Sequence, residues 1–275
     1  MKRLNLFFAI SLMFFAFNSC QKEGVSSSTD ETTLSLQETQ SEEALTDIDL
    51  LADEAIDSNI SQLKSADILN NMYLTDCPVV TFNTTVSPEV LTIDFGTSCT
   101  GKDGKIRSGK IIVTSVSFKT FPSVRDKSFD NYTVDGKKIT GSIVKTILKD
   151  SENNIRTAQI TENVSISFPD NEGTATRIAN ITRQYQRGVL GIRNDNQIVS
   201  WGTVEFTRLS GVKINKTITA ENPLVFKADC HHIVSGIVSI TTSNNRSWTI
   251  DYGTGECDNL ATLTINGKSK VIRIR

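Results

Sequence analysis

The stretch Lys110-Ile-Ile-Val-Thr-Ser-Val-Ser-Phe118 decides the fold of this chain. It is rich in β-branched residues, which fit the pleated and half-buried surface of a sheet. Val90-Leu-Thr-Ile-Asp-Phe95 and Ala261-Thr-Leu-Thr-Ile265 have the same character. Polar breaks that contain Gly separate such runs from Cys77 to the end of the chain. The pattern predicts many antiparallel strands joined by short connections.

The connections between these runs have the composition of hairpin turns. Asp135-Gly136 and Asn266-Gly267 are typical of two-residue hairpins, because a type I′ turn needs positive φ at both positions. Longer hairpin tips are predicted at residues 151–154, 169–173, 194–197 and 243–245. We therefore expect an all-β fold, an antiparallel meander that forms either a sandwich or an extended curled sheet.

Two segments of different composition precede the β region. Residues 20–43 are dominated by Ser, Thr, Glu and Gln, which predicts a disordered acidic tether. Residues 44–70 show a period of about 100° per residue, which predicts one N-terminal amphipathic helix. Its predicted apolar face is Leu45, Ile48, Ala52, Ile56 and Leu63. Its predicted polar face is Asp47, Glu54, Asp57 and Ser65. We expect the helix to pack on the sheet or its edge; a partner-binding helix is the alternative.

An internal echo indicates how the β domain, residues 71–275, is organised. The order Asp-Cys, then Thr-Ile-Asp-aromatic-Gly-Thr, then Cys occurs twice. The first copy is Asp76-Cys77, Thr92–Thr97 and Cys99, and the second is Asp229-Cys230, Thr249–Thr254 and Cys257. The echo predicts two related units, at about residues 71–150 and 200–275, with a β-hairpin segment between them.

Four cysteines lie in the β domain, and an even number of thiols in an exported protein favours disulfides. Four cysteines allow three pairings. The echo selects Cys77–Cys99 and Cys230–Cys257, because each pair then opens and closes one unit. The chain-entropy model gives each bridge roughly 3 kcal/mol of stabilisation.

The amino terminus is typical of an export signal over residues 1–19. Lys2 and Arg3 precede the apolar run Leu4–Phe17, which is too short to span a bilayer as a stable helix. An ordinary cleaved secretory signal would explain these features alone. The small residue Ser19 directly before Cys20 is an additional feature, since a cysteine there can carry acyl chains.

Ser19-Cys20 resembles a lipobox, although Phe17 and Asn18 depart from its usual residues. The following Gln21-Lys22-Glu23 is similar to the tag that directs lipoproteins of Bacteroidota to the cell surface. This resemblance implies lipidation at Cys20 and an outer-membrane, surface-exposed location.

The mature chain also resembles an uncharacterised family of Bacteroidota lipoproteins. The similarity is carried in the first half by Thr92–Gly96, Cys99, Gly104-Lys105, Gly109-Lys110-Ile111 and Phe129–Gly136. In the second half it is carried by Asn222-Pro223-Leu224, Cys230, Gly253–Asn259 and Asn266-Gly267-Lys268. The resemblance implies no activity, because the family has no assigned one.

Charge disfavours one class of partner. Without Lys2 and Arg3 the chain keeps 27 basic residues against 31 acidic ones, and it has no long basic run. Nucleic-acid binding needs concentrated positive charge to replace counterions, so we do not expect it.

No catalytic residue, metal ligand or cofactor is predicted. Gly96–Lys102 and Gly104–Lys110 have the spacing of a phosphate-binding loop. In both, the Ser or Thr that would hold Mg²⁺ is replaced, by Asp103 and Ile111 respectively, so we expect turn glycines and no nucleotide. His231-His232 are the only histidines, and neighbours on a strand point to opposite faces, which leaves no His-based triad.

Three weaker patterns have structural interpretations. Asp94 and Asp251 have the positions of an acid/base pair, but each more simply accepts hydrogen bonds from turn amides before its Gly. Oxygen ligands for calcium cluster at 150–154 and 170–173, yet neither has the spacing of a calcium loop, and we expect hairpin tips. The aromatic candidates for a sugar platform, which we expect to be core or cross-strand residues, are Trp201, Trp248, Tyr132, Tyr185 and Tyr252.

These features favour a lipid-anchored protein with a non-catalytic binding or envelope-structural role. Its expected partners are the membrane, through Cys20, and a glycan or protein ligand. An envelope glycan hydrolase is one alternative and would need carboxylates that converge in a cleft. A periplasmic carrier of an apolar ligand is the other, and would need an empty apolar interior.

Overall fold

A computed structural model describes residues 26–60, 77–148, 155–186, 196–227, 229–230 and 232–273. Side chains of the helix are described for residues 40–59. The predicted signal segment, Cys20 and Gln21-Lys22-Glu23 lie outside the described residues, so these predictions stay predictions.

The described residues form one α-helix followed by a single sheet of fifteen strands. The helix α1 is Ser26–Ile60. The strands are β1 Val79–Asn83, β2 Glu89–Asp94, β3 Cys99–Thr100, β4 Ile106–Ser115, β5 Ser123–Val134, β6 Lys137–Ile147, β7 Ile155–Phe168, β8 Gly173–Gln186, β9 Gln197–Thr207, β10 Lys213–Ile218, β11 Leu224–Lys227, β12 Ile233–Thr242, β13 Ser247–Thr254, β14 Leu260–Ile265 and β15 Lys268–Arg273. The predicted all-β fold with one N-terminal helix is confirmed.

The strand order is that of an antiparallel meander. Neighbours run β1-β2-β4-β5-β6-β7-β8-β9-β10-β12-β13-β14-β15, while β3 pairs with β4 and β11 pairs with β9 and β12. The echo motifs lie in β2 and β13 of the same sheet. Of the two predicted arrangements, the extended sheet is therefore the one observed. That the two motifs represent related units remains a prediction.

One face of this sheet forms the core. Opposed residues in antiparallel strands point to the same side, so register defines each face. We call the face that carries the following cross-strand row the inner face. The row is Leu91, Val113, Lys127, Ile143, Glu162, Ala179, Val204, Lys216, Ile240, Trp248, Ile265 and Lys268.

The helix lies against the inner face. Leu45, Ile48, Ala52 and Ile56 are buried, as the period predicted. They belong to the same apolar cluster as Leu91 of β2 and other inner-face residues. Leu63 and Ser65 lie outside the described residues. No helix in the described ranges is long and apolar enough to cross a membrane.

The helix extends further toward the amino terminus than predicted. It is described from Ser26, inside the predicted tether, to Ile60, and its predicted continuation to residue 70 lies outside the described residues. Ser41 is fully buried, so part of the supposed tether is packed. The polar composition of this segment predicted disorder. Composition alone does not reveal that the sheet supplies charged partners for a polar helix.

The hairpin and disulfide predictions are confirmed where the structure describes them. Both dipeptides have positive φ at each position, 47° and 75° for Asp135-Gly136 and 50° and 73° for Asn266-Gly267. Cys77–Cys99 and Cys230–Cys257 are bonded, with Cα atoms 5.8 and 5.7 Å apart. Each bridge brackets a hairpin, β1–β2 in the first case and β12–β13 in the second.

Gly202 offers a direct test of the close approach between β8 and β9. Its φ is 142°, and a Cβ there would collide with backbone atoms of Asn180 and Ile181. Gly211 also has positive φ, 80°, but a Cβ there would meet open space. We expect Gly202→Ala to lower the free energy of unfolding by well over the roughly 1–2 kcal/mol that a left-handed Ala costs at Gly211. Equal losses in urea unfolding of the two variants would contradict the described packing.

Candidate functional site

The feature that sets this sheet apart is a buried ion-pair network between α1 and the inner face. An ionised side chain is rarely buried unless it is paired, because the interior solvates charge poorly. Here several of both signs are buried together. The network comprises Asp47, Asp49 and Asp53 of α1 with Arg107, Arg125, Lys127, Lys145, Arg183 and Tyr185 of the sheet.

Asp49 is the centre of the network. Its Oδ1 accepts a hydrogen bond from Lys127 Nζ at 2.8 Å. Its Oδ2 accepts from Lys145 Nζ at 2.9 Å, from Tyr185 Oη at 3.1 Å and from Arg183 Nη1 at 3.2 Å. These donors come from β5, β6 and β8, so one carboxylate joins three strands to the helix.

Lys145 links two turns of α1. Besides Asp49, its Nζ donates to Asp53 Oδ2 at 2.5 Å, and Asp53 Oδ1 accepts from Arg125 Nη1 at 2.9 Å. Residues four apart lie one above the other on a helix, which lets one ammonium reach both carboxylates. The Lys145 ammonium also lies 4.9 Å from the centre of the Tyr185 ring.

Asp47 lies on the side of the apolar stripe opposite to Asp49 and Asp53, and its predicted exposure was wrong. It was expected on the solvent-facing side of the helix, but it is 4% exposed. Arg107 of β4 binds it with two hydrogen bonds, from Nε at 2.9 Å and from Nη2 at 2.6 Å. The same guanidinium also pairs with Asp103, just before β4. This fork geometry compensates the buried carboxylate.

Further pairs extend the contact along α1. Arg177 of β8 is fully buried and pairs at 2.6 Å with Glu42 of α1 and at 2.6 Å with Glu162 of β7. Near the other end, Asp57 lies 4.0 Å from Arg156 of β7. Acidic residues of α1 therefore approach basic residues of the sheet from Glu42 to Asp57.

The pKa shifts show which charge state this arrangement favours. Burial would raise the pKa of Asp49, but Lys127, Lys145 and Arg183 outweigh burial and hold it well below its ordinary value of 3.8. Burial would lower the pKa of Lys145, but Asp49 and Asp53 raise it. Both shifts favour the ionised forms of Asp49 and Lys145, so these two residues form a permanent ion pair between α1 and the sheet.

The network was missed by the sequence reasoning, although two signals were present. α1 contains many Asp and Glu residues and no Lys or Arg, with Glu42, Asp49, Asp53 and Asp57 spaced by seven, four and four residues. That spacing places them on one stripe. In the sheet, Arg125 and Lys127 occupy alternate positions of a strand whose other face is exposed. Their complementarity becomes visible only when helix and sheet are considered together.

The two predicted carboxylates of the echo have the expected structural role. Asp94 Oδ1 accepts a hydrogen bond from Gly96 N at 2.9 Å, and Asp251 Oδ1 accepts one from Gly253 N at 2.9 Å. They lie in β2 and β13, near opposite ends of the strand order, so they do not form an acid/base pair. The backbone amide of Gly96 and the side chain of Lys110 lower the pKa of Asp94.

The other predicted motifs also belong to turns where they are described. Gly104 N donates to Gly101 O at 3.0 Å in the turn before β4. Residues 169–171 form a 3-10 turn between β7 and β8. Residues 150–154 and His231 lie outside the described ranges, and His232 is half-buried. Within the ranges that the structure describes, no group of His, Cys, Asp or Glu is placed to hold a metal ion.

The aromatic candidates do not form one platform. Tyr132 is fully buried and Tyr185 belongs to the ion-pair network. Trp201, Trp248 and Tyr252 are half-buried. Trp248 and Tyr252 lie on β13, while Trp201 lies on β9, opposite Thr182 of β8.

Comparison of the chain with family models, with curated proteins and with solved structures found no match. The resemblance to Bacteroidota lipoproteins therefore stays a prediction.

Acid should weaken the contact between α1 and the sheet. Because the folded-state pKa of Asp49 is depressed, its contribution to stability is present above the ordinary carboxyl range and is lost as the pH falls below it. We expect Asp49→Asn to cost about 3–5 kcal/mol near neutral pH, since it leaves buried cations without their anion. The variant should then lose less stability than the wild type between about pH 5 and pH 2.

Chemical unfolding across this pH range measures both effects. Glu43→Gln is the matched control, because Glu43 is an exposed acid of the same helix. If Asp49→Asn and Glu43→Gln unfold alike at every pH, the Asp49 ion pairs do not stabilise the protein.

Proposed function

We propose that this protein is a lipid-anchored, non-catalytic component of the outer membrane that displays its extended sheet at the cell surface for binding. The observation that supports the proposal is the fixed position of α1. Buried ion pairs hold this helix to the inner face, and its first described residue, Ser26, follows Cys20 by only six positions. A lipid at Cys20 would therefore be connected to the sheet through a helix.

The direction of α1 gives the anchor a defined side of the domain. Glu42 contacts Arg177, whose strand begins just after the turn at 169–171, while Asp57 approaches Arg156 at the opposite end of β7. The amino-terminal part of α1 therefore points toward the end of the sheet that carries this turn. That end would face the membrane and the other end would face away.

The electrostatics of the interior support a binding role over the hydrolase alternative. A carboxyl that acts as general acid needs a raised pKa. Basic partners instead lower the pKa of the carboxylates of Glu42, which is half-buried, and Asp49, which is buried. These carboxylates serve to hold the helix.

The carrier alternative gains no support from the inner face. An apolar carrier needs interior space for its ligand. Where the inner face of β2 and β4 to β8 forms the core, α1 fills it with Ile48, Leu51 and Ala55, which are all fully buried.

Protease treatment of intact cells tests the proposed location. The wild type should be cut on whole cells and should incorporate labelled palmitate, because Cys20 carries the lipid. Cys20→Ala should lose the label and should no longer be cut on intact cells.

The variant Lys22→Ala with Glu23→Ala separates anchoring from display. It should keep the label, since Cys20 is intact, but resist protease until the outer membrane is opened. A wild-type protein that carries no label, or that is cut only after the outer membrane is opened, would refute the anchor or the surface location respectively.

A further inference from the structure

The inner face changes character across the sheet. Under α1, the echo positions Leu91 and Ile93 are fully buried and Phe95 is 4% exposed. The corresponding positions of the second echo, Trp248, Ile250 and Tyr252 on β13, are only half-buried. The same three positions are thus covered by a helix in one hairpin and partly open to solvent in the other.

The register shows that the half-buried residues form one continuous apolar surface. Trp248 is opposite Ile265, and Ile250 is opposite Leu263. Both partners on β14 are half-buried. This surface, which we call the β13–β14 surface, comprises Trp248, Ile250, Tyr252, Leu263 and Ile265.

Basic residues flank the β13–β14 surface. On β15, Lys268 is opposite Ile265 and Lys270 is opposite Leu263, so both lysines lie on the inner face at the edge of the sheet, and both are exposed. On the other side, Lys216 lies opposite Ile240, which is opposite Trp248, and the charge of Lys216 also acts on Glu42 of α1. An apolar centre between basic margins is the pattern with which this sheet already binds α1.

We propose that the β13–β14 surface is a docking site for an amphipathic helix of a partner protein whose apolar stripe is flanked by carboxylates. The chain itself provides the precedent. α1 has an apolar stripe flanked by carboxylates, and it packs on the equivalent face of the first echo hairpin and its neighbouring strands. Charge complementarity with Lys268 and Lys270 selects an acidic helix. The inference deepens the proposed binding function, and it depends on that function for its biological role.

A peptide with the sequence of residues 40–60 is the probe, since it has the required pattern. The receptor is the lipidated full-length protein in lipid nanodiscs, in a Trp201→Phe background, so that Trp248 is the remaining tryptophan of the two. We expect saturable binding that changes Trp248 fluorescence. A peptide with Asp47, Asp49 and Asp53 replaced by Lys keeps the apolar stripe and should not bind.

Charge reversal at the edge identifies the site. Lys268→Glu with Lys270→Glu should weaken binding about tenfold, the effect expected for the loss of two rim ion pairs. Lys119→Glu with Lys138→Glu makes the same change in net charge at exposed positions away from the surface and should leave affinity unchanged. If charge reversal at Lys268 and Lys270 leaves peptide affinity unchanged while the protein is still labelled and cut at the cell surface, the docking site is refuted and the proposed function is not.

Three results would overturn the inference. The first is the absence of saturable binding, or binding that Lys268→Glu with Lys270→Glu does not change. Binding that is independent of these lysines is expected if the peptide replaces α1 on its own site. The second is self-association of the protein that Trp248→Glu abolishes, which would make a second copy the occupant. The third is lysine-dependent binding of an acidic polysaccharide without binding of the peptide.

Discussion

Charge pairing between α1 and the inner face is the constraint on which the rest of this structure depends. Lys127 and Lys145 are fully buried on the inner face, and neither position would be tolerable without a carboxylate. Asp49 pairs with both of them, and Asp53 also pairs with Lys145. The sheet therefore needs the helix for more than apolar cover, and the helix needs the sheet to neutralise its acids. Folding of the two must be mutually dependent.

The same contacts determine where the helix lies along the sheet. Apolar packing by Leu45, Ile48 and Ala52 would tolerate small shifts along the helix axis, because one aliphatic side chain resembles another. The two-bonded contact of Arg107 with Asp47 does not tolerate such shifts, since its donors and acceptors must match in direction. Buried ion pairs contribute little net stability relative to apolar packing, but they penalise alternative arrangements. Here they specify the position of the element that leads toward Cys20.

The sequence predicted the features that depend on local chemistry. Runs of β-branched residues between polar, Gly-containing breaks identified the strands. Asn266-Gly267 identified a tight turn, and the recurrence around Cys77 and Cys230 identified the disulfide pairing. It did not predict that Asp47 is buried, because this burial depends on Arg107, which lies 60 residues away along the chain. Local composition describes the solvent preference of a segment. It does not include the partners that tertiary structure supplies, and a polar helix surrounded by bases is the case in which that difference matters most.

An open sheet of this length must also protect its edges, because unpaired strand edges attract other strands. In the described residues, β1 and β15 occupy the two ends of the order. β1 is only five residues long, follows Pro78 and is tied by the bridge from Cys77 to Cys99. β15 instead carries Lys268, Lys270 and Arg273, whose charge opposes strand addition. Lys268 and Lys270 of this edge strand also lie beside the half-buried β13–β14 surface. The same two residues would therefore repel an added strand and attract an acidic helix.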